Sequence, residues 1–462
     1  MAGAAIASNA NLKTNGYSTS LVASQPMRIH YHTDCYWFGG SEIALLLHVE
    51  AAFDSADVEP IFTYRAGSEY ESGLRTQASR RVQARRLRLP DPADLKQALT
   101  HGKSPRVARM LRGGVSLLPL RQLCLAWDVA RMYALFRAGA PDVVHINNGG
   151  YPGAISCNAA AIAARAARVP VVVYVVNNVA MAYHRPSRLL DYPVDRLVVR
   201  SVDMFVTASM IASQALASVL RLGEGQHTVI PNAAKPGAPT VSRSDVRRDL
   251  RISDDHLVLL VMARLEKRKG HTFLLRALPR FPDDIRDKVT VLVAGVGPEH
   301  AALEAECATL RIADHVHFLG QRDDRWSLYA AADVVVLPSI SHEDMPIVIL
   351  DAMAAGRPVV ATRVAGIPEQ VVDGVTGRLV PPGDAAALAE ALAAILEDPT
   401  GRAAMGKAAR ARYESRYTPQ RFVDAYRKLY SSLLERRRPR ESRNTADRRN
   451  PAASAGNRRA CI

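Results

Sequence analysis

The sequence predicts an α/β protein with two doubly wound parallel sheets that face each other across a cleft. Apolar runs bounded by turn-forming residues alternate with Ala-rich helical stretches, which is typical of strands buried on both faces of a parallel sheet. The alternation pauses at VIPNAAKPGAP, where Pro, Asn and Gly mark a linker, and then restarts. A chain of 462 residues is also too long for a single hydrophobic core.

The predicted elements follow one another along the chain. The first strand is MRIHYHTDC, and the first helix is GGSEIALLLHVEAAF. The further strands before the linker are VEPIFTY, DVVHIN, PVVVYVV and MFVTAS. Beyond the linker the strands are LVLLVMARL, VTVLVAGVG, VHFLG, DVVVLPS, PVVAT and RLVPPGD.

This order predicts the domain boundaries. Both ends of the chain lack a periodic apolar pattern, and the carboxyl-terminal end is rich in Arg, so we expect both to be disordered. The expected parts are a leader at 1–26, a first domain at 27–230 with a basic insertion at 75–121, a linker at 231–240, a second domain at 241–418, a terminal helix at 419–435 and an Arg-rich tail at 436–462.

Composition and cysteine usage restrict the class of protein. Hydrophobic residues make up 48% and charged residues 23%, as in globular enzymes. The five cysteines are scattered, without a CxxC pair or a Cys/His cluster, which favours a reducing compartment and argues against a zinc site or a disulfide framework. No apolar run reaches the roughly 18 residues of a membrane span, so we expect a cytoplasmic protein.

The positive charge is concentrated in two segments. Residues 75–121 contain twelve Lys and Arg against two acidic residues, and residues 436–462 contain nine Arg against two. The first segment mixes Arg with Leu and Val, which suits either a peripheral contact with the anionic inner face of a membrane or a solvated insertion. Aromatic residues are nearly absent from both segments, which disfavours nucleic acid binding.

Two carboxylates mark a ligand site in the second domain. Glu343 follows a strand that ends in Pro338 and Ser339, and Asp351 lies in the short helix that Pro346 opens. The mouth of a parallel sheet is where α/β proteins bind ligands. Apart from these carboxylates and Asp344, the surrounding residues are apolar or small. The pattern therefore favours a ligand role over a helix-terminal charge.

Two further segments follow strands of the second domain. In ARLEKRKG, Arg264 and Lys269 come after a strand and before a helix, which suits a phosphate site or, equally, a solvated turn. In VLVAGVGPE, Gly295 and Gly297 do not complete GxGxxG, because His300 stands where the third glycine would be. These glycines are better interpreted as a tight strand-to-helix turn.

Several short motifs run through the chain in a fixed order. They are GGSE, RLEKRKG, GVGP, FLG, a Glu and an Asp eight positions apart with AMAAGRPVVAT, then GIPE and DGVTGRLVPPGD. This order resembles the retaining glycosyltransferases of family 4, over about Met27 to Leu434 and most specifically from Ala263 to Asp384. The resemblance implies the GT-B fold, in which two Rossmann-like domains face a cleft, and a nucleotide-sugar donor such as a UDP- or GDP-sugar.

The resemblance also implies roles for individual residues. Glu343 would contact hydroxyls of the donor sugar, and Asp351 would bind the nucleotide ribose. Arg264 and Lys269 would bind the diphosphate and stabilise it as it leaves. The other implied donor contacts are the amides of Met345 and Ile347 and the loop of Gly39 and Gly40.

The sequence departs from the family pattern at three positions. Asp351 stands where the family usually has Glu, and Asp344 stands where it usually has Gly, a change that Asp tolerates because it can adopt left-handed dihedrals. Asn177 stands where the first domain commonly has a His near the transferred sugar. Asn can bind a hydroxyl but cannot carry a proton. His145 is another candidate for a sugar or acceptor contact, although a structural hydrogen bond at the strand end explains it equally well.

The resemblance predicts transfer of a sugar to an acceptor hydroxyl in cell-surface polysaccharide or glycolipid synthesis. The acceptor would be a sugar or a lipid-linked sugar, and neither a cofactor nor a metal is required by the sequence. The alternatives are a non-catalytic nucleotide-sugar-binding protein and an epimerase or phosphorylase on the same fold. A dehydrogenase is disfavoured by the missing GxGxxG.

Overall fold

The computed structural model describes residues 25–36, 38–92, 120–183, 188 and 190–437. Residues 1–24 of the predicted leader, 93–119 of the basic insertion and 438–462 of the predicted tail lie outside this part. The described chain forms two parallel sheets connected by helices. Each sheet belongs to one half of the chain, as the alternating pattern predicts.

The first half carries one sheet with helices on both faces. Its strands are β1 Met27–Thr33, β2 Val58–Arg65, β3 Ala84–Leu87, β4 Val143–Asn148, β5 Val171–Val176, β6 Met204–Thr207 and β7 His227–Val229. Its described helices are α1 Gly40–Phe53, α2 Ser68–Gln77, α3 Leu120–Gly139, α4 Ile155–Ala166, α5 Tyr192–Ser201 and α6 Met210–Leu220.

The second half repeats this architecture and ends in three helices. Its strands are β8 Leu257–Met262, β9 Val289–Ala294, β10 Val316–Gly320, β11 Val334–Leu337, β12 Val359–Thr362 and β13 Gly377–Val380. Its helices are α7 Arg243–Asp249, α8 His271–Ala277, α9 Asp283–Arg286, α10 His300–Leu310, α11 Arg325–Ala331, α12 Ile347–Ala354, α13 Ile367–Gln370, α14 Ala385–Glu397, α15 Pro399–Arg416 and α16 Pro419–Arg437. Short 3₁₀ turns cover Lys267–Lys269, Leu278–Arg280 and Ala313–His315.

The strand order places a switch point in the middle of each sheet. The first sheet runs β3-β2-β1-β4-β5-β6-β7, and the second runs β10-β9-β8-β11-β12-β13. Chain direction across the sheet reverses between β1 and β4 and between β8 and β11. Loops diverge at such points and leave a crevice at the carboxyl ends of the strands. The fold therefore provides two facing crevices.

Every strand named from the sequence is present, and two strands were missed. β3 pairs in parallel with β2, from Phe62 opposite Ala84 to Arg65 opposite Leu87. Its residues are ARRL, and the two arginines are exposed, so it carries no apolar signal. Part of the predicted basic insertion is therefore the edge strand of the first sheet. β7 has only three residues, too few for a periodic pattern.

The last helix returns to the first half of the chain. α16 packs on α1, and the ring of His48 stacks on Tyr426 and Tyr430 at centroid distances of 4.8 and 5.6 Å. Tyr430 also shares a hydrogen bond of 2.6 Å with His145 in β4. The helix extends two residues beyond the predicted end. A single apolar cluster consequently includes residues of both sheets and of this helix.

Candidate active site in the cleft

A cavity of about 400 Å³ lies between the two switch points. Loops that follow β1, β4 and β5 form one wall, and loops that follow β8, β10 and β11 form the other. A second cavity of about 850 Å³ lies in the first domain. The two cavities adjoin, because they share the lining residues Ser41, Gly149, Asn178 and Arg268. Their volumes are in the range of ligand sites.

The second-domain wall carries an ion pair between Lys269 and Glu343. The Lys269 ammonium contacts Glu343 Oε1, which also accepts a hydrogen bond of 2.8 Å from Ser339 Oγ. Arg268 Nη1 lies 3.7 Å from the same oxygen. Both members of the pair are largely buried. Removing either one would leave a buried charge without its partner.

Gly270 brings this lysine against the carboxylate. Its φ is +69°, and a Cβ added there would lie 2.0 Å from the carbonyl oxygen of Pro338. The loop after β8 therefore packs its backbone directly on the loop after β11. Only glycine allows both this approach and this left-handed conformation.

Asp351 lies in α12 and lines the cavity between the domains. The residue is 4% exposed, and its Oδ2 is 3.5 Å from Arg325 Nε. Its Oδ1 has no hydrogen-bond partner among the described residues. Burial raises the pKa of Asp351 to about 7, against the opposing effect of Arg325. A buried acceptor atom without a partner at a cavity wall suits a ligand that donates hydroxyl hydrogen bonds.

The opposite wall is fixed by a buried hydrogen-bond network around Glu42. Glu42 Oε1 accepts from Thr33 Oγ1 at 2.9 Å and from Asn147 Nδ2 at 2.8 Å, and Oε2 accepts from Tyr70 at 2.7 Å. Asn147 Oδ1 in turn accepts from Asn177 Nδ2 at 2.8 Å. The carboxyl ends of β1, β4 and β5 are thereby tied together, and Asn177 is held at the cavity.

Acidic residues of the second domain bind backbone amides of the first. Glu369 accepts from the amides of Met210 and Ile211 at 2.9 and 3.0 Å, at the amino terminus of α6. Asp344 Oδ2 accepts from the Ala208 amide at 3.2 Å. Carboxylates are stabilised at helix amino termini. These contacts join the two walls of the cleft.

Comparisons with known proteins agree with this architecture. The family model for glycosyl transferases group 1 matches residues 242–412, and that for glycosyltransferase family 4 matches residues 80–236. The chain belongs to the family 4 glycosyltransferases. The predicted family and its GT-B fold are thus confirmed.

Individual relatives match parts of this glycosyltransferase. The D-inositol 3-phosphate glycosyltransferase of Saccharomonospora viridis is 35% identical over 44% of the chain and 51% of its own length. The 2-deoxystreptamine glucosyltransferase of Streptomyces kanamyceticus is 28% identical over 67% of the chain and 81% of its own length. The chain spans about half the length of the first curated relatives that it matches.

A solved structure shares the whole fold of this glycosyltransferase. Anabaena HepE in complex with UDP superposes with a TM-score of 0.69 and covers 88% of this chain and 100% of its own. The sequence identity is 22%. The likeness therefore concerns the fold alone.

The structure brings most of the predicted donor residues to one cavity. Its lining includes Glu343, Lys269, Asp351, Met345, Ile347, Gly40 and Asn177. Gly39 is not among these lining residues, but it lies directly before Gly40, at the start of α1. Arg264 does not line the cavity, because its Nε pairs with Glu266 Oε1 at 2.8 Å and its side chain is 41% exposed. Its contact with the diphosphate stays a prediction.

The expectation for His145 is wrong. The side chain is fully enclosed between β4 and α16 and does not line either cavity of the cleft. Its Nδ1 shares the hydrogen bond with Tyr430, and burial lowers its pKa to about 3. His145 lies three residues before the end of β4, where the terminal helix covers the sheet. The structural interpretation of this histidine is therefore correct.

Asp344, where the family usually has Gly, does not adopt the left-handed conformation that Asp tolerates. His342 has that conformation in this loop, with φ +56°. Asp344 uses its carboxylate instead to bind the Ala208 amide across the cleft. Burial raises its pKa to about 6. An acidic residue where the family usually has glycine thus adds a contact between the domains.

The two glycines of GVGP have the predicted turn role. A Cβ on Gly295 would lie 2.0 Å from Ala263 O, and one on Gly297 would lie 2.3 Å from Leu265 O. Their backbone packs directly against the segment that leads to Lys269.

Several cavity residues were not selected from the sequence. They are Ser41, Asn232, Arg268, Arg322 and Arg325. Arg322 and Arg325 follow β10, so a search for cations after every strand would have found them. Asn232 lies in the linker, where Nδ2 donates to Met345 O at 3.1 Å, and no local pattern points to it.

Within the described ranges, no group of acidic, His or Cys side chains could hold a metal ion. In the same part of the chain, no helix combines the length and the apolar character that crossing a bilayer requires.

Replacing Asp351 by Asn should stabilise the free protein above neutral pH. The folded-state pKa of Asp351 is about 7, above the value of about 4 in an unfolded chain. The folded form therefore holds a proton that the unfolded form has lost, and stability falls as pH rises from about 4 to about 7. Urea unfolding at pH 5 and pH 8 should show a gain for the variant of up to about 4 kcal/mol at pH 8 and a smaller one at pH 5. Equal stability of the two proteins at pH 8 would contradict the raised pKa of Asp351.

Proposed function

We propose that this glycosyltransferase moves a sugar from a nucleotide-diphosphate donor to an acceptor hydroxyl, with retention at the anomeric carbon. This proposal rests on one observation: cations and buried carboxylates line the same cavity. Lys269, Arg268 and Arg322 supply positive charge, and Glu343 and Asp351 supply hydrogen-bond acceptors. A nucleotide sugar needs both, since its diphosphate is anionic and its two sugar rings carry hydroxyls.

Each group has a defined part in donor binding. Asp351 Oδ1, which lacks a partner among the described residues, accepts from the ribose hydroxyls. Glu343 accepts from hydroxyls of the transferred sugar. The diphosphate is bound by Lys269 and by the amides of Met345 and Ile347 at the start of α12. Arg264 reaches the diphosphate only if its side chain leaves Glu266 and turns toward the cavity. UDP and UDP-glucose occur in solved structures of HepE, which has the same fold.

Cleavage places negative charge on the leaving diphosphate. Lys269 is already positioned by Glu343 and Gly270, so the cation needs little rearrangement as charge develops. The bond from the anomeric carbon to the phosphate oxygen breaks, and the acceptor oxygen bonds to the same face of that carbon. The acceptor proton passes to the departing phosphate oxygen, because Asn177 cannot take it. This front-side course accounts for retention without a side-chain base.

The acceptor side of the proposal has a place in the first domain. The larger cavity adjoins the donor cavity at Ser41, Gly149, Asn178 and Arg268. An acceptor bound there would meet the anomeric carbon at this junction. Synthesis of a polysaccharide or glycolipid and a location at a membrane surface stay predictions.

In the described part of the basic segment, two of the arginines that would contact a membrane have acidic partners. Arg81 pairs with Asp54 at 2.7 Å and Arg86 with Glu71 at 3.0 Å. Two of its arginines are thus partly neutralised. Co-sedimentation with anionic vesicles, before and after neutralising the arginines between Arg80 and Arg88, tests this contact, and unchanged binding would remove it.

A thermal-shift series with nucleotide sugars tests the donor proposal. UDP-, GDP- and ADP-sugars are added in turn to the wild-type protein and to Asp351→Asn. We expect one base to raise the melting temperature of the wild type and to raise that of the variant less, because the carboxamide is a weaker acceptor for the ribose hydroxyls. If none of these donors shifts the wild type, the proposed function is wrong.

A further inference from the structure

The larger cavity of the first domain is rich in carboxylates. Its lining contains Asp34, Asp91, Asp128 and Asp191. Apart from Arg268 at the junction with the donor cavity, its described cations are Arg65 and Arg121. Acidic groups therefore outnumber basic ones in the part of the cavity remote from the donor.

Both of these cations already have acidic partners. Arg65 Nη1 lies 3.6 Å from Asp34 and 3.6 Å from Asp91, and Arg121 Nε lies 3.4 Å from Asp191. Asp34 also accepts from Ser156 Oγ at 2.6 Å, and Asp91 accepts from the Tyr36 hydroxyl at 2.9 Å. Three of the four carboxylates are thus engaged within the protein.

Asp128 differs from the other three. It is carried by α3, its residue surface is 1% exposed, and its Oδ1 has no hydrogen-bond partner in the described ranges. Burial and then the negative charge of Asp34 raise its pKa to about 7, although Arg65 and Arg131 act in the opposite direction. A buried carboxylate oxygen without a hydrogen-bond partner is costly. A cationic ligand that donates hydrogen bonds would remove this cost.

We propose that this cavity binds an acceptor that carries a protonated amine, of the amino sugar or aminocyclitol class, and that Asp128 binds its ammonium group. The inference rests on the proposed function, since it assigns the acceptor of that reaction. A phosphorylated acceptor would place its anion beside Asp34 and Asp128 and would be repelled. A neutral polyol would satisfy Oδ1 by a hydroxyl but would bring no positive charge to this carboxylate.

Matched pairs of ligands test the charge directly. Streptamine and scyllo-inositol share one ring and differ in two amines replaced by hydroxyls. Methyl glucosaminide and methyl N-acetylglucosaminide differ in the charge of the amine. The affinity of each compound, and of inositol 1-phosphate, is measured by calorimetry on the full chain saturated with whichever of UDP, GDP and ADP it binds. The variant Asp128→Asn keeps the shape of the side chain and removes its charge. Asp57→Asn, an exposed position outside the cavity, is the control.

We expect at least one amine to bind about tenfold or more tightly than its neutral partner. Asp128→Asn should reduce this preference to less than about twofold, and Asp57→Asn should leave it unchanged. The affinity for this nucleoside diphosphate should be the same in all three proteins. Equal binding of amine and neutral ligands, tighter binding of the phosphate, a preference that survives Asp128→Asn, or no binding of any amine would overturn the inference. Failure of the wild type to bind any of UDP, GDP and ADP would instead count against the proposed function.

Discussion

Replacing Lys269 by Ala is expected to lower turnover of the nucleotide-sugar donor by about two to three orders of magnitude. The substitution removes a cation proposed to lie at the leaving diphosphate. Within the described part of the chain, it also leaves Glu343 with Arg268, at 3.7 Å, as its remaining charged partner. Release of the nucleotide from the matching donor, with and without acceptor, measures the effect.

Lys267→Ala provides the matched control for this substitution. Lys267 belongs to the same 3₁₀ turn, is exposed, and does not line the cavity. It removes the same charge from the same loop and should leave turnover within about twofold, as expected for a screened surface charge. If the two variants lose activity equally, general loop charge and not the position of Lys269 governs the reaction.

Replacing Gly270 by Ala is expected to affect both stability and turnover. The added Cβ would lie 2.0 Å from Pro338 O, a backbone atom that cannot rotate away, and the residue would have to keep φ +69°. We expect a loss of about 2–4 kcal/mol in the free energy of unfolding. Any relief of the clash moves the loop that positions Lys269, so turnover should fall more than stability alone explains.

Urea unfolding and turnover at a temperature where the variant is folded separate these two effects. Gly67→Ala is the control, since a Cβ there meets nothing within 4 Å and the residue has an extended conformation. Full turnover by folded Gly270→Ala would show that the loop tolerates displacement and that Lys269 needs no such positioning.

The sequence predicted the fold because the strands are buried on both faces. Runs such as VVVYVV in β5 and VTVLVA in β9 are apolar throughout and have few alternative interpretations. β3 escaped detection because it lies at an edge and carries exposed arginines. Edge strands often carry charge, which prevents pairing with other chains, and this same charge hides them from a search for apolar periodicity.

The candidate site could be predicted where its residues lie on one continuous segment of the chain. Glu343 and Asp351 lie on either side of a single helix start, so local spacing placed them together. The contact of Glu343 with Lys269 joins residues 74 positions apart. The motif resemblance assigned both residues to one donor site but did not predict this contact. His145 could not be placed in this way, because its surroundings come from a helix that begins at Pro419, far along the chain.

The return of α16 to the first half makes that half discontinuous in sequence. Its sheet is complete by Val229, yet the rings of His48 and His145 pack against Tyr426 and Tyr430 of this last helix. During synthesis on the ribosome, the surface around His48 and His145 therefore stays uncovered by α16 until this last helix has been made. A protease that cuts within 231–240 would likewise not release two independent halves, since the carboxyl-terminal fragment would still hold the other through that helix.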